Sequence, residues 1–168
     1  VDKKEDGTYF WNSNYPNSIG RLHGYFGNFG VLVRAYVYIK MLGESGLKEM
    51  TRNAILNANY LKHRLKDHYD VPYSDGIMHE FVISGVKQKK RGMKVLDIAK
   101  GILDEGFHSP TIYFPMNVPE AMMIEPTETE SKTTLDDFAD ALIKLDKMID
   151  ENPQALRDAP ITTPVERL

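Results

Sequence analysis

The stretch Glu80-Phe-Val-Ile-Ser-Gly-Val86 opens the part of the sequence that decides the fold. Its phenylalanine, valine and isoleucine favour extended backbone, so it predicts a β-strand. Residues 93–105 follow as a predicted helix, which Gly106 stops. Two more short strands are predicted at residues 111–114 and 121–125, separated by a turn that contains proline.

A last helix is predicted to begin at Thr133 or Thr134, because either side chain can cap it. Apolar residues at three- and four-residue steps predict its buried face: Leu135, Phe138, Leu142, Leu145 and Ile149. The order strand, helix, strand, strand, helix predicts an α+β fold. In that fold, helices pack on one side of a small, mainly antiparallel sheet.

Two helices are predicted upstream of this layer. Residues 27–42 are apolar on most sides, exceed the length of ordinary strands, and precede Gly43, which we expect to end the helix. The second runs from Ser45 to about His68 and carries one apolar stripe. The first helix requires a large partner surface that the rest of the chain cannot supply, which predicts that part of the protein lies outside this sequence.

These patterns divide the chain into three predicted parts. Residues 1–45 form a connecting segment and a long helix that packs on a missing large domain. Residues 46–151 form the small α+β domain. Residues 152–168 contain three prolines and are predicted to be an extended tail. Position 1 is Val rather than Met, which suggests a chain that begins within a longer protein.

Composition excludes several classes of protein. With 42% hydrophobic and 27% charged residues, the chain has the mix of a soluble globular domain. A net charge of −3 argues against binding of nucleic acid, and no apolar run is long enough to span a membrane. The absence of cysteine excludes disulfides and cysteine metal ligands, and is compatible with a cytoplasmic location. The basic run, Lys87, Lys89, Lys90 and Arg91, is predicted to be a solvated turn.

Few residues suggest a site by type and spacing alone. Ser18-Ile-Gly-Arg21 precedes a helix and offers a hydroxyl, backbone N–H groups and a guanidinium to an anion. The glycines around it match no phosphate-loop pattern, so close backbone packing is the stronger interpretation. His63 and His68 lie five residues apart, which does not fit a helical metal pair, so no metal site is predicted.

Several strings, taken together, resemble the C-terminal part of the glycine-cleavage P-protein family. They are Asn17-Ser-Ile-Gly-Arg21, Gly27-Asn-Phe-Gly-Val-Leu-Val-Arg-Ala-Tyr36, Asn57-Ala-Asn-Tyr-Leu61, His79-Glu-Phe81 and Met123-Ile-Glu-Pro-Thr-Glu128. The tail Asp158-Ala-Pro-Ile-Thr-Thr-Pro164 resembles the second subunit of the form that is split into two chains.

The resemblance implies the small C-terminal domain of a fold-type-I enzyme dependent on pyridoxal 5'-phosphate. Such an enzyme removes CO2 from glycine and passes the aminomethyl group to the lipoyl arm of the H-protein, so P-protein subunit 1, the H-protein and glycine are the implied partners. The family's Schiff-base lysine motif, a His-Lys pair before a glycine-rich run, is absent here. We expect it upstream of Val1, and therefore expect the isolated chain to be inactive and to bind no cofactor.

The resemblance also implies roles for individual residues. Ser18, Gly20 and Arg21 are candidates for contact with the cofactor phosphate of a neighbouring subunit. In a split enzyme, the alternative is that they serve the subunit interface only. His108, which enters a strand directly after a helix, and Thr127 are candidates for the border of the substrate cleft. From the residues alone, a structural role for His108 is the stronger interpretation.

Two other hypotheses remain open at this point. One is another fold-type-I enzyme, such as an aminotransferase or a different amino-acid decarboxylase. The other is a self-standing α+β binding domain, against which the unpartnered apolar helix argues.

Overall fold

A computed structural model describes residues 1–20 and 27–164 of the chain. It divides into two compact units, Val1–Gly43 and Glu44–Leu168. The α+β class predicted from the sequence is confirmed, since helices accompany two small antiparallel sheets.

The first unit contains a short hairpin and the beginning of a long helix. Strands β1 (Asp2–Lys3) and β2 (Tyr9–Phe10) pair antiparallel across a turn in which the Gly7 N–H donates to the Lys4 carbonyl at 3.0 Å. The Asp2 carboxylate accepts hydrogen bonds from the Asn12 amide and the Tyr15 hydroxyl, which lower the pKa of Asp2. These contacts tie the hairpin to the segment that follows it.

Helix α1 (Phe29–Leu65) is interrupted at Gly43, whose φ of 61° and ψ of −171° are non-helical. The helix end predicted at this position is therefore confirmed. Glycine allows it because it adopts a positive φ at no steric cost. The predicted second helix begins just after Gly43 rather than at Ser45, and it ends at Leu65, three residues before His68. The second part of α1 buries one stripe in the core: Ala54, Ala58, Leu61 and Leu65.

The sheet of the second unit has the order β3-β5-β4, and both of its pairings are antiparallel. Its strands are β3 (Phe81–Ser84), β4 (Thr111–Ile112) and β5 (Ala121–Ile124). Phe81 lies opposite Ile124 and Ile83 lies opposite Met122. All four of these residues belong to the hydrophobic core, as alternation along a strand requires for one buried face.

Four more helices complete the unit within the described residues: α2 (Val86–Lys90), α3 (Val95–Asp104), α4 (Lys132–Glu151) and α5 (Pro153–Asp158). Helices α3, α4 and α5 contact one another. Gly101 lies where they meet, and a Cβ there would approach Leu145 Cδ2 to 2.8 Å and Leu156 Cδ2 to 3.2 Å. The absence of a side chain therefore permits the close approach of the three helices.

Three further local predictions were wrong. The basic run forms helix α2 rather than a turn, because its Gln88 side chain is fully buried while the lysines on either side reach carboxylates. Helix α4 is capped by Ser131, which accepts a hydrogen bond from the Thr134 N–H, and not by Thr133 or Thr134. Capping by any hydroxyl residue in this run is chemically equivalent, so spacing alone did not select among them.

The predicted extended tail from residue 152 is the third error. Residues Pro153–Asp158 form helix α5, with Asn152 as its N-cap and proline in the first turn. Proline is favoured at that position because the missing N–H would have no helical partner. Beyond α5, the Asp104 carboxylate accepts hydrogen bonds from the backbone N–H groups of Ile161 and Thr162 and from the Thr162 hydroxyl.

Candidate functional site

A cleft of about 390 Å³ opens on the second unit between the sheet, α1 and α4. Its inner surface is largely apolar and is formed by Leu61, Phe107, Met123, Ile124, Leu135 and Phe138. Its rim is polar and includes His108, Ser109, Thr111, Glu125, Thr127, Glu130 and Thr134. An apolar interior with a few convergent polar groups is typical of a ligand-binding site.

One wall of the cleft follows directly from the end of α3. Gly106 has a φ of 84°, and the Phe107 N–H donates to the Ile102 carbonyl at 3.1 Å, which turns the chain off the helix. The Phe107 ring then meets the Phe138 ring edge to face, with centroids 5.4 Å apart. This aromatic contact fixes the chain that carries His108, whose side chain is exposed at the rim.

A second part of the cleft lining is the loop after β5. Pro126 is buried, and the carbonyl oxygen of Thr127 accepts hydrogen bonds from the Asn57 side-chain amide at 2.9 Å and from the Glu130 N–H at 3.2 Å. The Thr127 hydroxyl lies 2.8 Å from the hydroxyl of Thr129. Anchored in this way to α1, the loop presents Thr127 to the cleft from a defined position.

A second cleft of about 240 Å³ lies on the other side of the same loop. Glu125, Pro126 and Thr127 line both clefts and form a ridge between them. The second cleft is otherwise lined by Met50, Thr51, Ala54, Ile55, Met78, His79 and Glu128. The sequence indicated no such site, because its walls come from segments that are far apart along the chain.

The residues that line the two clefts define what the site can do chemically. They include histidine, threonine and glutamate side chains, which can donate or accept hydrogen bonds and orient a bound molecule. Among the described residues, the lining of neither cleft includes a lysine. Within residues 1–20 and 27–164, no group of three or more His, Asp or Glu side chains is arranged to hold a metal ion. The arrangement can hydrogen-bond to a ligand bound in the cleft and position it.

The predicted site residues fall into two groups in the structure. His108 and Thr127 both line the larger cleft. Ser18 and Gly20 are exposed residues of the first unit, and Arg21 lies outside the described residues. The Gly20 N–H donates to the Ser18 Oγ at 3.0 Å, so it is already engaged within the loop. The role predicted for Ser18, Gly20 and Arg21 therefore stays a prediction.

The contacts of the string Asn57-Ala-Asn-Tyr-Leu61 give it a structural explanation. Asn57 anchors the Thr127 loop, and Asn59 donates to the Ile77 carbonyl at 3.2 Å, which holds the segment before β3. Tyr60 donates to Asp136 on α4, and Leu61 enters the core. Local sequence patterns indicated no role for the two asparagines and the tyrosine, since each acts through a partner remote in the sequence.

None of the helices in the described part of the chain is both long and apolar enough to cross a membrane.

Comparison with known proteins identifies the family of this chain. Residues 50–162 match the family model described as "Glycine dehydrogenase, C-terminal domain". The chain belongs to this family, which confirms the resemblance drawn from the sequence.

Curated relatives are similar in sequence to this chain over nearly its whole length. The protein named "Probable glycine dehydrogenase (decarboxylating) subunit 2" in Bacillus licheniformis is 55% identical to this chain over 98% of its residues. The protein of the same name in Chlorobium chlorochromatii is 58% identical to this chain, also over 98% of its residues. The relative of the same name in Lysinibacillus sphaericus is 55% identical over 99% of the chain. In each case the chain spans only 34% of the relative's length.

Proposed function

We propose that this chain is the C-terminal part of a glycine decarboxylase dependent on pyridoxal 5'-phosphate, of the subunit 2 type, and that it forms one wall of the substrate cleft. The observation that carries the proposal is the 55–58% identity to relatives named glycine dehydrogenase (decarboxylating) subunit 2. This identity favours glycine decarboxylation over the aminotransferase and the self-standing binding domain.

The cleft supports a positioning role for this chain. The His108 imidazole and the Thr127 hydroxyl stand at the rim of an apolar cavity, where each can hydrogen-bond to a bound substrate or product. The apolar inner surface reduces the water around the reacting groups, which strengthens those hydrogen bonds. Orientation of this kind contributes to catalysis without any covalent step on the chain itself.

The cofactor site is assigned to the remainder of the longer protein. The family's lysine motif is absent from residues 1–168, so we attribute to this chain no covalent step on the cofactor. Contact of Ser18, Gly20 and Arg21 with the cofactor phosphate of a neighbouring subunit stays part of the proposal. We propose that the isolated chain is inactive. We further propose P-protein subunit 1, the lipoyl-carrying H-protein and glycine as partners, in the cytoplasm.

The test uses the complete protein that contains this sequence, together with its partner subunit, pyridoxal phosphate and lipoylated H-protein. Glycine labelled at the carboxyl carbon is expected to release labelled CO2 only when the H-protein is present. After borohydride reduction, the cofactor is expected on a peptide outside residues 1–168. Transamination, or decarboxylation of another amino acid in place of glycine, would support the other fold-type-I enzyme instead.

A further inference from the structure

The turn between β4 and β5 exposes a cluster of large apolar side chains. Tyr113, Phe114 and Met116 expose 45%, 51% and 89% of their surface. Leu96, at the start of α3, adjoins them, because its backbone N–H lies close to the Tyr113 hydroxyl. Tyr73 is also exposed, and its hydroxyl accepts a 2.8 Å hydrogen bond from the turn. These five residues form one surface, which we call the turn patch.

The backbone of this turn is fixed in a conformation that few residues adopt. Tyr113 and Glu120, at its two ends, have φ of 59° and 49°, in the left-handed region that favours glycine. The Glu120 carboxylate is buried and accepts hydrogen bonds from the Val95 N–H at 3.0 Å and from Lys89 at 2.6 Å. These contacts hold the turn in place. Strained backbone that the surrounding structure maintains is concentrated at functional sites, so the strain here indicates a binding role.

The turn patch has the composition of a protein–protein interface. Tyrosine, phenylalanine and methionine are enriched at such interfaces, and a backbone that is already rigid loses little conformational entropy when a partner binds. Its five side chains are few beside the roughly 20–30 residues that each partner contributes to a standard interface. A surface of this size suits a partner that binds transiently and is then released.

The segment beside the turn patch is basic. Residues 86–100 contain six lysine or arginine side chains against one acidic side chain, although the whole chain has a net charge of −3. Lys89 and Lys94 lie close to the turn, since both interact electrostatically with Glu120. Lys94 is exposed, and Lys89 keeps 57% of its side chain exposed despite its ion pair with Glu120. A positive surface around an apolar centre fits an acidic partner, which it attracts and orients before contact.

We propose that the turn patch, with Lys89 and Lys94, is the docking surface for an acidic face of a carrier protein. The identity of the carrier as the lipoyl-carrying H-protein rests on the proposed function. A carrier has to dissociate after each transfer, which suits a small apolar contact that is steered by charge. A second copy of this chain fits less well, because a two-fold contact would set the two basic segments against each other.

Steady-state kinetics of the complete enzyme, with its partner subunit and pyridoxal phosphate, test this surface. Met116→Asp and Lys94→Glu each add a negative charge to it. Each is expected to raise KM for lipoylated H-protein by about tenfold or more, while KM for glycine stays unchanged. The controls are Lys147→Glu, the same charge change at an exposed position of α4, and Leu56→Asp, at an exposed apolar position of α1. Both controls should leave KM for the H-protein unchanged.

Added salt provides an independent measurement. Exposed charges are screened at high ionic strength, so KM for the H-protein should increase with salt in the unmodified enzyme and less steeply in Lys94→Glu. If glycine is decarboxylated but KM for the H-protein is unchanged in both test variants, or rises equally in the controls, the docking surface is overturned. Self-association that Met116→Asp abolishes would assign the turn patch to a second copy and overturn it too. Failure of the unmodified enzyme to release CO2 from glycine would contradict the proposed function itself, and with it the identity of the carrier.

Discussion

The side-chain amide of Asn57 donates a 2.9 Å hydrogen bond to the carbonyl oxygen of Thr127, 70 residues further along the chain. Through this contact, helix α1 holds the loop that separates the two clefts. Thr127 therefore takes its position from a residue that does not itself line either cleft.

We expect Asn57→Ala to lower the free energy of unfolding by about 1 kcal/mol, the usual contribution of one such hydrogen bond. In the complete enzyme, the same change should raise KM for glycine more than it lowers kcat, because the loop loses its anchor but no cleft residue is removed. Chemical denaturation and steady-state kinetics measure the two effects. Asn53→Ala, one turn earlier in α1, is the control and should change neither.

His108→Ala should reduce kcat/KM for glycine in the complete enzyme by about tenfold or more, which corresponds to the loss of one hydrogen bond at the cleft rim. His63→Ala removes an exposed histidine from α1, away from both clefts, and should leave kcat/KM unchanged. Equal losses for the two variants, or no loss for His108→Ala, would remove His108 from the proposed cleft wall.

Asp146 joins three elements of the second unit. Its carboxylate accepts hydrogen bonds from the Gln88 amide at 2.8 Å and from Arg91, and it lies 3.3 Å from His68 Nδ1. Its side chain is only 14% exposed, so Asp146→Ala leaves several polar groups without this partner and should cost at least about 3 kcal/mol of stability.

The second carboxylate partner of Arg91 provides the control for that experiment. Asp150 also pairs with Arg91, at 2.7 Å, but its side chain is 67% exposed. Asp150→Ala should therefore cost less than about 1 kcal/mol, as exposed ion pairs usually do. Similar losses of unfolding free energy for the two variants would show that burial does not determine the contribution of Asp146.

Acidification should release the segment after α5. Burial opposes ionisation of Asp104, yet the hydrogen bonds from Thr162 and Ile161 outweigh it and hold the pKa of Asp104 below its ordinary value. A depressed pKa in the folded state means that ionised Asp104 stabilises the folded protein above the unfolded-state pKa of about 3.9. This stabilisation is lost as pH falls through the folded-state pKa. The Ile161 and Thr162 amides should therefore lose protection below about pH 4, when their exchange rates are compared with those of unprotected amides at the same pH.

Asp104→Asn separates this effect from general acid unfolding. The amide keeps an acceptor oxygen but does not titrate, so exchange at Ile161 and Thr162 should be faster than in the unchanged protein at neutral pH and should lose its pH-dependent step. Amides of α4 serve as the internal reference for global unfolding. A step that persists in the variant would assign the titration to another group.

Local patterns predicted much of the fold. Apolar residues at helical spacing gave the positions of α3 and α4 to within about two residues of their ends, and short apolar runs bounded by turns gave β3 and β5. Helix α5 was missed although Asn152 before Pro153 is a helix-start signal, because three prolines suggested an extended tail. Helix α2 was missed because its charged residues obscured the one buried side chain, Gln88.

The sequence by itself determined most of the secondary structure, the α+β class and the apolar character of residues 29–42, because these depend on residues that are neighbours along the chain. Only the tertiary structure brought His108, Thr127 and Phe138 around one cleft and joined Asn57 to the Thr127 loop. Those relationships depend on how the α3, α4 and β5 surfaces pack together, and side-chain periodicity carries no information about which distant partner each surface meets.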